Sequence, residues 1–324
     1  MKRVGVFLML CLTLILSSCS AGTKESKALG VFTSKIEDAK SYELKAKLEV
    51  VKLESTVSFN MEVIYEAPSN FKVTYVNEAN NSRQVLLKNS DGVFVLSPEL
   101  NKEFKFESTW PLNSSHIYIL NKIVSDLKEA EDVTTKTEND FYIIKSSIKH
   151  KIRKDLVSQS IYLNTKDYSL DKITFDGADK ALMTLVVNEL NFDLSLKSDT
   201  FNVDAIMDSE TSLIGEGSLD VITEVSFAPI FEGVSLKASS VMDEYTILSY
   251  DGTKKYSIIY QDVHVGSVSA ITRIYDDFIM LDSGLGFVAS NSLTFYFGDK
   301  EFRIISDNLT LEEMVSLANS LEAS

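Results

Sequence analysis

The sequence predicts an α+β protein that is mainly antiparallel β. Hydrophobic residues make up 44% of the 324 positions, while there are only 13 glycines and 4 prolines, so the chain can bury a sizeable core. Valine, isoleucine, tyrosine, phenylalanine and threonine are frequent, and these residues favour pleated, half-buried surfaces. Several stretches alternate between apolar and polar residues, which is typical of strands with one buried and one solvated face.

The N-terminal segment 1–18 is predicted to be a signal peptide. Lys2 and Arg3 form a positive start, and the apolar run over 4–16 has the length of a signal-peptide core. This run is too short for a stable transmembrane helix. The sequence therefore indicates export from the cytoplasm.

Cys19 follows Leu16-Ser17-Ser18, and these four residues resemble the bacterial lipobox. The resemblance implies lipidation of the Cys19 thiol and cleavage just before it, with 19–27 as a lipid-anchored tether. The alternative is an ordinary signal peptide followed by a chance cysteine. Two acyl chains hold a protein on a membrane without a transmembrane helix. The expected location is extracytoplasmic, on the cell or forespore membrane, and the mature chain would keep no free thiol.

Residues 28–206 are predicted to form a first domain around an antiparallel meander. Apolar residues at helical spacing indicate a first helix that ends near Lys40. A second helix with its apolar face between Ile117 and Leu127 is expected to begin with a Ser or Asn cap within 113–115. Strands are expected at 42–50, 57–65, 71–75, 84–88, 93–96, 104–106, 141–145, 160–163, 170–175 and 182–190.

The polar, glycine-bearing stretch 207–219 is predicted to be a linker, and 220–324 a smaller C-terminal α+β domain. This second domain contains short strand patterns up to Phe297. Thr310 and Glu313 form a capping box ahead of apolar residues at helical spacing, which predicts a terminal helix packed on the smaller sheet.

The formal net charge of −15 argues against nucleic acid as a partner. The acidic balance is either a solubility device or a recognition surface. The run 145–154 carries five bases and no acid. It is either a solvated hairpin end or a surface for anionic headgroups or an acidic partner.

The residues that usually carry enzyme chemistry are scarce, so the chain is predicted not to be an enzyme and to use no cofactor. The three histidines, at 116, 150 and 264, have no further ligands at metal-site spacing. Ser114 and Ser115 adjoin His116, but neighbours at a helix start do not face each other as a nucleophile and its base must. No phosphate-binding or dinucleotide-binding glycine motif occurs.

A set of aromatic residues along the first meander is the predicted binding face. A single curved sheet with few helices cannot cover all of its apolar surface, so a concave face could hold an apolar ligand. The alternative is ordinary core filling. The predicted face consists of Tyr42, Phe59, Tyr65, Phe71, Tyr75, Phe94 and Trp110.

Several of these segments resemble the LolA-like sporulation and germination lipoproteins of endospore-forming bacteria. The resemblance covers about 30–204 and rests on the lipobox and on Ser41-Tyr42-Glu43-Leu44-Lys45-Ala46, Ala67-Pro68-Ser69-Asn70-Phe71-Lys72-Val73 and Asp91-Gly92-Val93-Phe94-Val95-Leu96-Ser97-Pro98. It implies a strongly curved sheet, an incomplete barrel closed by helices, with an apolar cavity for acyl chains or lipoproteins. It also implies a place at the spore envelope, where a related lipoprotein acts through a cortex-processing amidase.

The C-terminal part, from Val225 to the final helix, resembles a small domain of unassigned function in other sporulation-associated lipoproteins. The leading hypothesis is a membrane-anchored, non-catalytic lipoprotein of sporulation or germination. Its expected partners are the membrane, through Cys19, and an acyl chain, a lipoprotein or a cell-wall enzyme. The alternatives are an envelope lipoprotein-sorting or lipid-transfer carrier and an envelope enzyme.

Overall fold

A computed structural model describes residues 24–51, 56–106, 110, 118–150, 153–214, 221–263 and 275–323. The predicted signal peptide, Cys19 and the start of the tether lie outside these residues. No helix among the described residues is both long and apolar enough to cross a membrane. The α-helices of the described chain are α1 Lys24–Glu37, α2 Leu120–Glu129, α3 Val203–Ile214 and α4 Leu311–Ala318.

The first unit, residues 24–214, is built on an 11-stranded sheet in which every pairing is antiparallel. Its order is β6-β5-β4-β3-β2-β1-β11-β10-β9-β8-β7, so two meanders join where β1 pairs with β11 and the sheet remains open. The strands are β1 Ser41–Val51, β2 Thr56–Glu66, β3 Asn70–Asn77, β4 Arg83–Asn89, β5 Gly92–Ser97, β6 Lys102–Phe106, β7 Thr134–Glu138, β8 Phe141–Ser147, β9 Ser158–Asn164, β10 Leu170–Asp176 and β11 Ala181–Phe192.

The period-two pattern of β1 shows why this sheet has one core face. Leu44 and Leu48 are fully buried, whereas Lys45 and Lys47 point to the other face, where Lys47 Nζ lies 3.0 Å from Glu78 Oε2. Alternating side chains of a strand point to opposite sides of the sheet. Helices α1 and α2 cover the core face, with buried residues such as Phe32.

Helix α3 packs on the opposite face of the same sheet. Its residue Ile206 joins a small cluster with Val85, Leu87, Phe94 and Leu96 of β4 and β5. The predicted linker at 207–219 is therefore helical over its first part, since α3 continues to Ile214. Residues 215–220 lie outside the described chain.

The second unit, residues 221–323, has a seven-stranded sheet in the order β13-β14-β15-β19-β18-β17-β16 and a separate pair β12-β20. All of its pairings are antiparallel. Its strands are β12 Val225–Phe227, β13 Val234–Met242, β14 Tyr245–Gly252, β15 Tyr256–Asp262, β16 Asp277–Leu281, β17 Gly284–Ala289, β18 Ser292–Phe297, β19 Lys300–Ile305 and β20 Leu321–Ala323. The predicted fold class, α+β and mainly antiparallel, is confirmed.

The two predicted helix caps had different outcomes. The capping box of α4 is confirmed, because Glu313 N donates to Thr310 Oγ1 at 3.2 Å and Thr310 N donates to Glu313 Oε2 at 2.8 Å. The Ser or Asn cap of the second helix was wrong. Helix α2 begins at Leu120 with Ile119 as its N-cap and no side-chain cap, while 113–115 lie outside the described residues.

The two units share one hydrophobic core. The largest buried cluster joins the core face of the first sheet to residues of the second unit, listed here as Val263, Tyr275, Phe278, Leu285, Phe287 and Tyr296. A second cluster lies on the other face of the second sheet, where residues of β15, β16, β18 and β19 pack with α4. The C-terminal unit is thus packed directly onto the first sheet.

Candidate ligand-binding site

The predicted aromatic face divides between the two sides of the first sheet. Six of its seven residues lie in the shared core, namely Tyr42, Phe59, Tyr65, Phe71, Tyr75 and Trp110. Phe94 lies on the opposite side, against α3, with Lys105 Nζ 5.4 Å from its ring centroid. The structure therefore brings six predicted residues together and separates the seventh.

The six residues are buried by the chain itself. Tyr42 and Trp110 have no exposed surface, and the others range from 2% to 7% exposed. Ring centroids lie 5.1 Å apart for Tyr42 and Tyr65, 4.8 Å for Tyr65 and Phe71, and 5.7 Å for Phe71 and Trp110. This continuous aromatic row is packed as core, at separations typical of attractive ring pairs.

The hydroxyl of Tyr42 is anchored to α2. It donates to Asn121 Oδ1 at 2.9 Å, which gives the buried phenol a partner. Burial raises the pKa of Tyr42 above its ordinary value and does the same for Tyr75. Both phenols therefore stay neutral at physiological pH and supply no charge to a ligand.

Aromatic residues of the second unit cover the far end of the same face. Phe104 lies with its ring centroid 4.6 Å from that of Phe287, and Phe106 lies 5.3 Å from Phe278. Trp110 is 6.1 Å from Phe278. These contacts join β6 and Trp110 to β16 and β17, so the second unit occupies apolar surface that a ligand would otherwise have to cover.

Two polar contacts fix the register between the units. Asn77 Nδ2 donates to the Asp282 carbonyl oxygen at 2.9 Å, and Leu285 N donates to Gln84 Oε1 at 2.7 Å. Gly284 lies next to the second contact, where an added Cβ would come within 2.7 Å of Gln84 Oε1. A side chain at this glycine would displace the Gln84 amide from Leu285 N, and it would also be strained because Gly284 has a φ of +136°.

A cavity of about 1050 Å³ remains between the units. Its walls come from the ends of β1, β2 and β11 on one side and from β16 and α4 on the other. The apolar residues of the first unit that line it are Leu48, Val50, Val51, Phe59, Leu182 and Met183. Those of the second unit include Phe278, Met280 and Val315. This volume is in the range of small-molecule sites.

The charged residues that line the cavity are mostly basic on the first unit and acidic on the second. His150, Arg153 and Lys180 come from the first unit, together with Asp155, whereas the second unit contributes acids, namely Asp277, Asp282, Glu312 and Glu322. Arg153 is engaged by Asp155 through two bonds, Nε to Oδ1 at 2.8 Å and Nη2 to Oδ2 at 2.7 Å. This pairing lowers the pKa of Asp155.

On the side of the cavity formed by the first unit, Lys180 is a cation without an ion-pair partner among the described residues. It lies just before β11 and is exposed. Arg153, in contrast, is neutralised locally by Asp155. An anionic group entering the cavity from the side of the first unit would therefore meet Lys180 as its available positive charge.

The titratable groups of the described residues indicate whether the cavity could hold a metal ion or an acid–base site. No group of three or more His, Cys, Asp or Glu side chains within them is arranged to hold a metal ion. A raised carboxyl pKa occurs at Glu103, through burial and the charge of Asp204, far along the sheet on the α3 side and not among the cavity residues. The arrangement can enclose an apolar molecule and present charge at its rim.

Only Phe59 of the cavity residues belongs to the predicted binding face. The others were missed because the cavity forms where two units meet, at positions such as Val50 and Met280 that are about 230 residues apart in the chain. Alternation along β1 did place Leu48 and Val50 on the buried side. Nothing local in the sequence indicates that the end of this strand faces a void.

The chain is similar over its whole length to a sporulation protein. Sporulation protein YdcC of Bacillus subtilis (strain 168) is 27% identical over 334 aligned residues, which cover 99% of this chain and 98% of the relative. This match confirms the resemblance to sporulation proteins that the sequence predicted, and it extends across both units. No protein-family model matches the chain.

Two solved structures are similar to this chain at low sequence identity. The crystal structure of MucB in complex with MucA(peri) is 11% identical, covers 92% of this chain and 98% of that one, and has a TM-score of 0.32. The LolA superfamily protein NE2245 from Nitrosomonas europaea is 9% identical, covers 57% of this chain and 100% of its own, and has a TM-score of 0.33.

Proposed function

We propose that this chain is an exported lipoprotein, anchored by lipid on Cys19, that binds the apolar part of an amphipathic ligand in the cavity between its two units and serves sporulation without catalysing a reaction. The signal-peptide pattern and the lipobox support export and anchoring. Similarity to a sporulation protein over 99% of the chain supports a role in sporulation. We also propose that 28–206 and 220–324 are its two domains.

The cavity is the observation that carries this proposal. The aromatic face that could have been open is filled by α1, α2 and the second unit, whereas a cavity of about 1050 Å³ between the units offers space for an apolar ligand. Its lining combines aliphatic, methionine and phenylalanine side chains. Such walls exclude water and gain from contact with a hydrocarbon chain.

The charge at the rim favours an anionic end on the ligand. Lys180 is exposed and lacks an ion-pair partner among the described residues, and it stands on the wall opposite the acids of the second unit. A fatty acid or an acylated peptide with a carboxylate could lie with its chain against Val50 and Met183 and its anion towards Lys180. This orientation keeps the anion away from Glu312 and Asp277.

The experiment is a binding titration with a defined probe, a fluorescent C16 fatty acid, on the mature protein carrying Cys19→Ala. Val50→Trp fills the cavity from β1, and we expect it to weaken binding at least about tenfold. The matched control is Val186→Trp, because Val186 is 36% exposed on β11 and does not line the cavity. This control should bind as the unmodified protein does.

A second pair of variants tests the charge. Lys180→Glu should weaken binding of the fatty acid about threefold to tenfold and leave binding of the corresponding uncharged alcohol unchanged. Lys166→Glu, on an exposed turn, is its control. Equal binding by Val50→Trp and Val186→Trp would refute the cavity as the site. Probe binding that is absent from all forms would direct attention to a protein partner or to a carrier role elsewhere on the surface.

A further inference from the structure

The outer strand β13, Val234–Met242, is an exposed edge of the second sheet. It pairs only with β14 among the described strands, and every residue after Val234 is exposed. Large apolar side chains cluster on this hairpin, with Leu236 50%, Val241 75%, Met242 60% and Tyr245 45% exposed. An edge of this kind presents unpaired backbone groups to any strand that can match it.

This edge has few of the features that usually protect edges. It contains no proline, and Lys237 is its one charged residue. A register shift between Leu236 and Ala238 marks a bulge near its start. The regular, available part of the edge is therefore 238–242.

The hairpin geometry fixes which backbone groups point outwards. Met242 pairs with Tyr245 across a two-residue turn, with Asp243 at φ +52° in that turn. In an antiparallel ladder, hydrogen-bonded pairs alternate along the strand. Residues 238, 240 and 242 thus direct their N–H and C=O groups towards β14, whereas Ser239 and Val241 direct theirs to the free edge.

We propose that β13 pairs antiparallel with β13 of a second copy of this chain, with Ser240 facing the partner's Ser240. In this register Ser239 exchanges backbone hydrogen bonds with the partner's Val241. Ala238 then lies opposite the partner's Met242, so a small side chain faces a large one in the two outer pairs, while the central Ser240 pair is small on both sides. The stretch 238–242 is self-complementary because its first two residues are small and its last two are large.

Charge complementarity supports the same register. Lys237 lies at the bulge just before the regular stretch 238–242 and Asp243 lies in the turn just after it, so this register brings Lys237 near the partner's Asp243, and two-fold symmetry repeats the approach at the other end of the interface. Neither Lys237 nor Asp243 has an ion pair among the described residues. Insertion of the hairpin tip into a membrane is a less favourable use of its apolar residues, since the turn carries the carboxylates of Asp243 and Glu244.

Cysteine cross-linking tests the register directly. The chain has two cysteines, Cys11 and Cys19, so the mature form with Cys19→Ala carries no other thiol. Ser240→Cys places the two sulfurs at a directly opposed, non-hydrogen-bonded pair, where the Cα atoms lie about 4.5 Å apart, and we expect most of the chain to form a disulfide dimer under mild oxidation. Ser249→Cys, on the adjacent strand β14, is the matched control and should stay monomeric on a non-reducing gel.

Two further changes test the pairing in solution by analytical ultracentrifugation. Ser239→Pro removes an outward N–H from each copy, hence two of the four intermolecular backbone bonds, while β13 keeps its bonds to β14, and it should raise the dimer dissociation constant about tenfold or more. Lys237→Glu should weaken the dimer, and combining it with Asp243→Lys should restore it, since the double variant reverses each contact. Circular dichroism confirms that each variant is folded.

The proposal is overturned if the unmodified mature chain is monomeric at all accessible concentrations and Ser240→Cys cross-links no better than Ser249→Cys. It is also overturned if the dimer exists but is unaffected by both Ser239→Pro and Lys237→Glu. Failure of fatty-acid binding leaves these outcomes unchanged, because the cavity and β13 share no residues.

Discussion

Strands β1 and β13 have similar lengths but differ in how far their apolar side chains are buried. In β1, Tyr42, Leu44 and Leu48 are fully buried, because α2 and neighbouring strands pack over them. In β13, Leu236 and Val241 stay half to three-quarters exposed. Apolar residues in a strand are therefore buried only where another layer of the chain reaches them, and the exposed strand is the place to look for a partner.

The largest expected effect concerns the surface that joins the two units. Phe287 has no exposed surface, and its ring centroid lies 4.6 Å from Phe104 and 5.8 Å from Phe106. Phe287→Ala should lower the free energy of unfolding by about 3–5 kcal/mol. Chemical denaturation measures this change. Phe141→Ala, at a partly buried ring on β8, should lower it by about 1–2 kcal/mol; equal effects would mean that the units are not packed as described.

The attachment of α3 depends on an ion pair with one buried end. Arg83 Nη1 lies 3.0 Å from Glu210 Oε2, and the Glu210 side chain is 9% exposed while that of Arg83 is 26% exposed. Arg83→Met should destabilise the protein by about 1–3 kcal/mol, because the Glu210 carboxylate is left buried without its partner.

Adding Glu210→Gln should recover part of that loss. The control is Lys45→Met, which removes ion pairs with Glu43 and Glu189 at an exposed lysine and should leave stability nearly unchanged. The denaturation midpoints of the unmodified protein, Arg83→Met, Arg83→Met with Glu210→Gln, and Lys45→Met measure these differences in stability. A larger effect at Lys45 than at Arg83 would contradict the docking of α3.

The hydroxyl of Tyr42 ties the first strand to α2. Tyr42→Phe removes the bond to Asn121 Oδ1 and should lower the free energy of unfolding by about 1 kcal/mol. Tyr260→Phe, at a partly buried tyrosine of the second unit with no hydroxyl bond given by the described residues, should be close to neutral. The reverse order, measured by thermal and chemical denaturation, would show that the bond is not formed.

The smallest effect is a pH dependence at the start of α4. Lys254, 2.6 Å from Glu313 Oε1, and the cap bond from Thr310 N hold the pKa of Glu313 below its ordinary value of 4.5. Because the folded pKa is lowered, Glu313 stabilises the fold above its unfolded pKa, and this contribution is lost as the pH falls through the folded pKa. Glu313→Gln should therefore lower stability by about 0.5–1 kcal/mol at pH 7, and this difference should shrink as the pH falls through the folded pKa of Glu313. A difference that does not depend on pH would contradict this assignment.

Much of the first sheet was predictable because its strands alternate. β1 to β6 and β8 to β11 were predicted near their observed places. β7 was missed because Thr134–Glu138 has no apolar alternation. β19 was also missed, although Phe302 and Ile304 do alternate and are fully buried. The charged residues Lys300, Glu301 and Arg303 in this short strand obscured the alternation.

The coverage of the aromatic face could not be predicted from local pattern. Phe104 meets Phe287 across more than 180 positions of the chain, and no periodicity encodes such a contact. Phe94 was grouped with residues of the opposite sheet face because Val93-Phe94-Val95-Leu96 is apolar on both faces. A strand that is buried on both sides gives no sign of which residue faces which layer.

The central claim is that the second unit completes the core of the first and that the cavity between them is the binding site. The most direct test is equilibrium unfolding followed by the fluorescence of Trp110, the one tryptophan of the chain, and by far-ultraviolet circular dichroism. The account predicts a single coincident transition, which Phe287→Ala shifts equally for both probes. Two separate transitions, with Trp110 unaffected by Phe287→Ala, would contradict it.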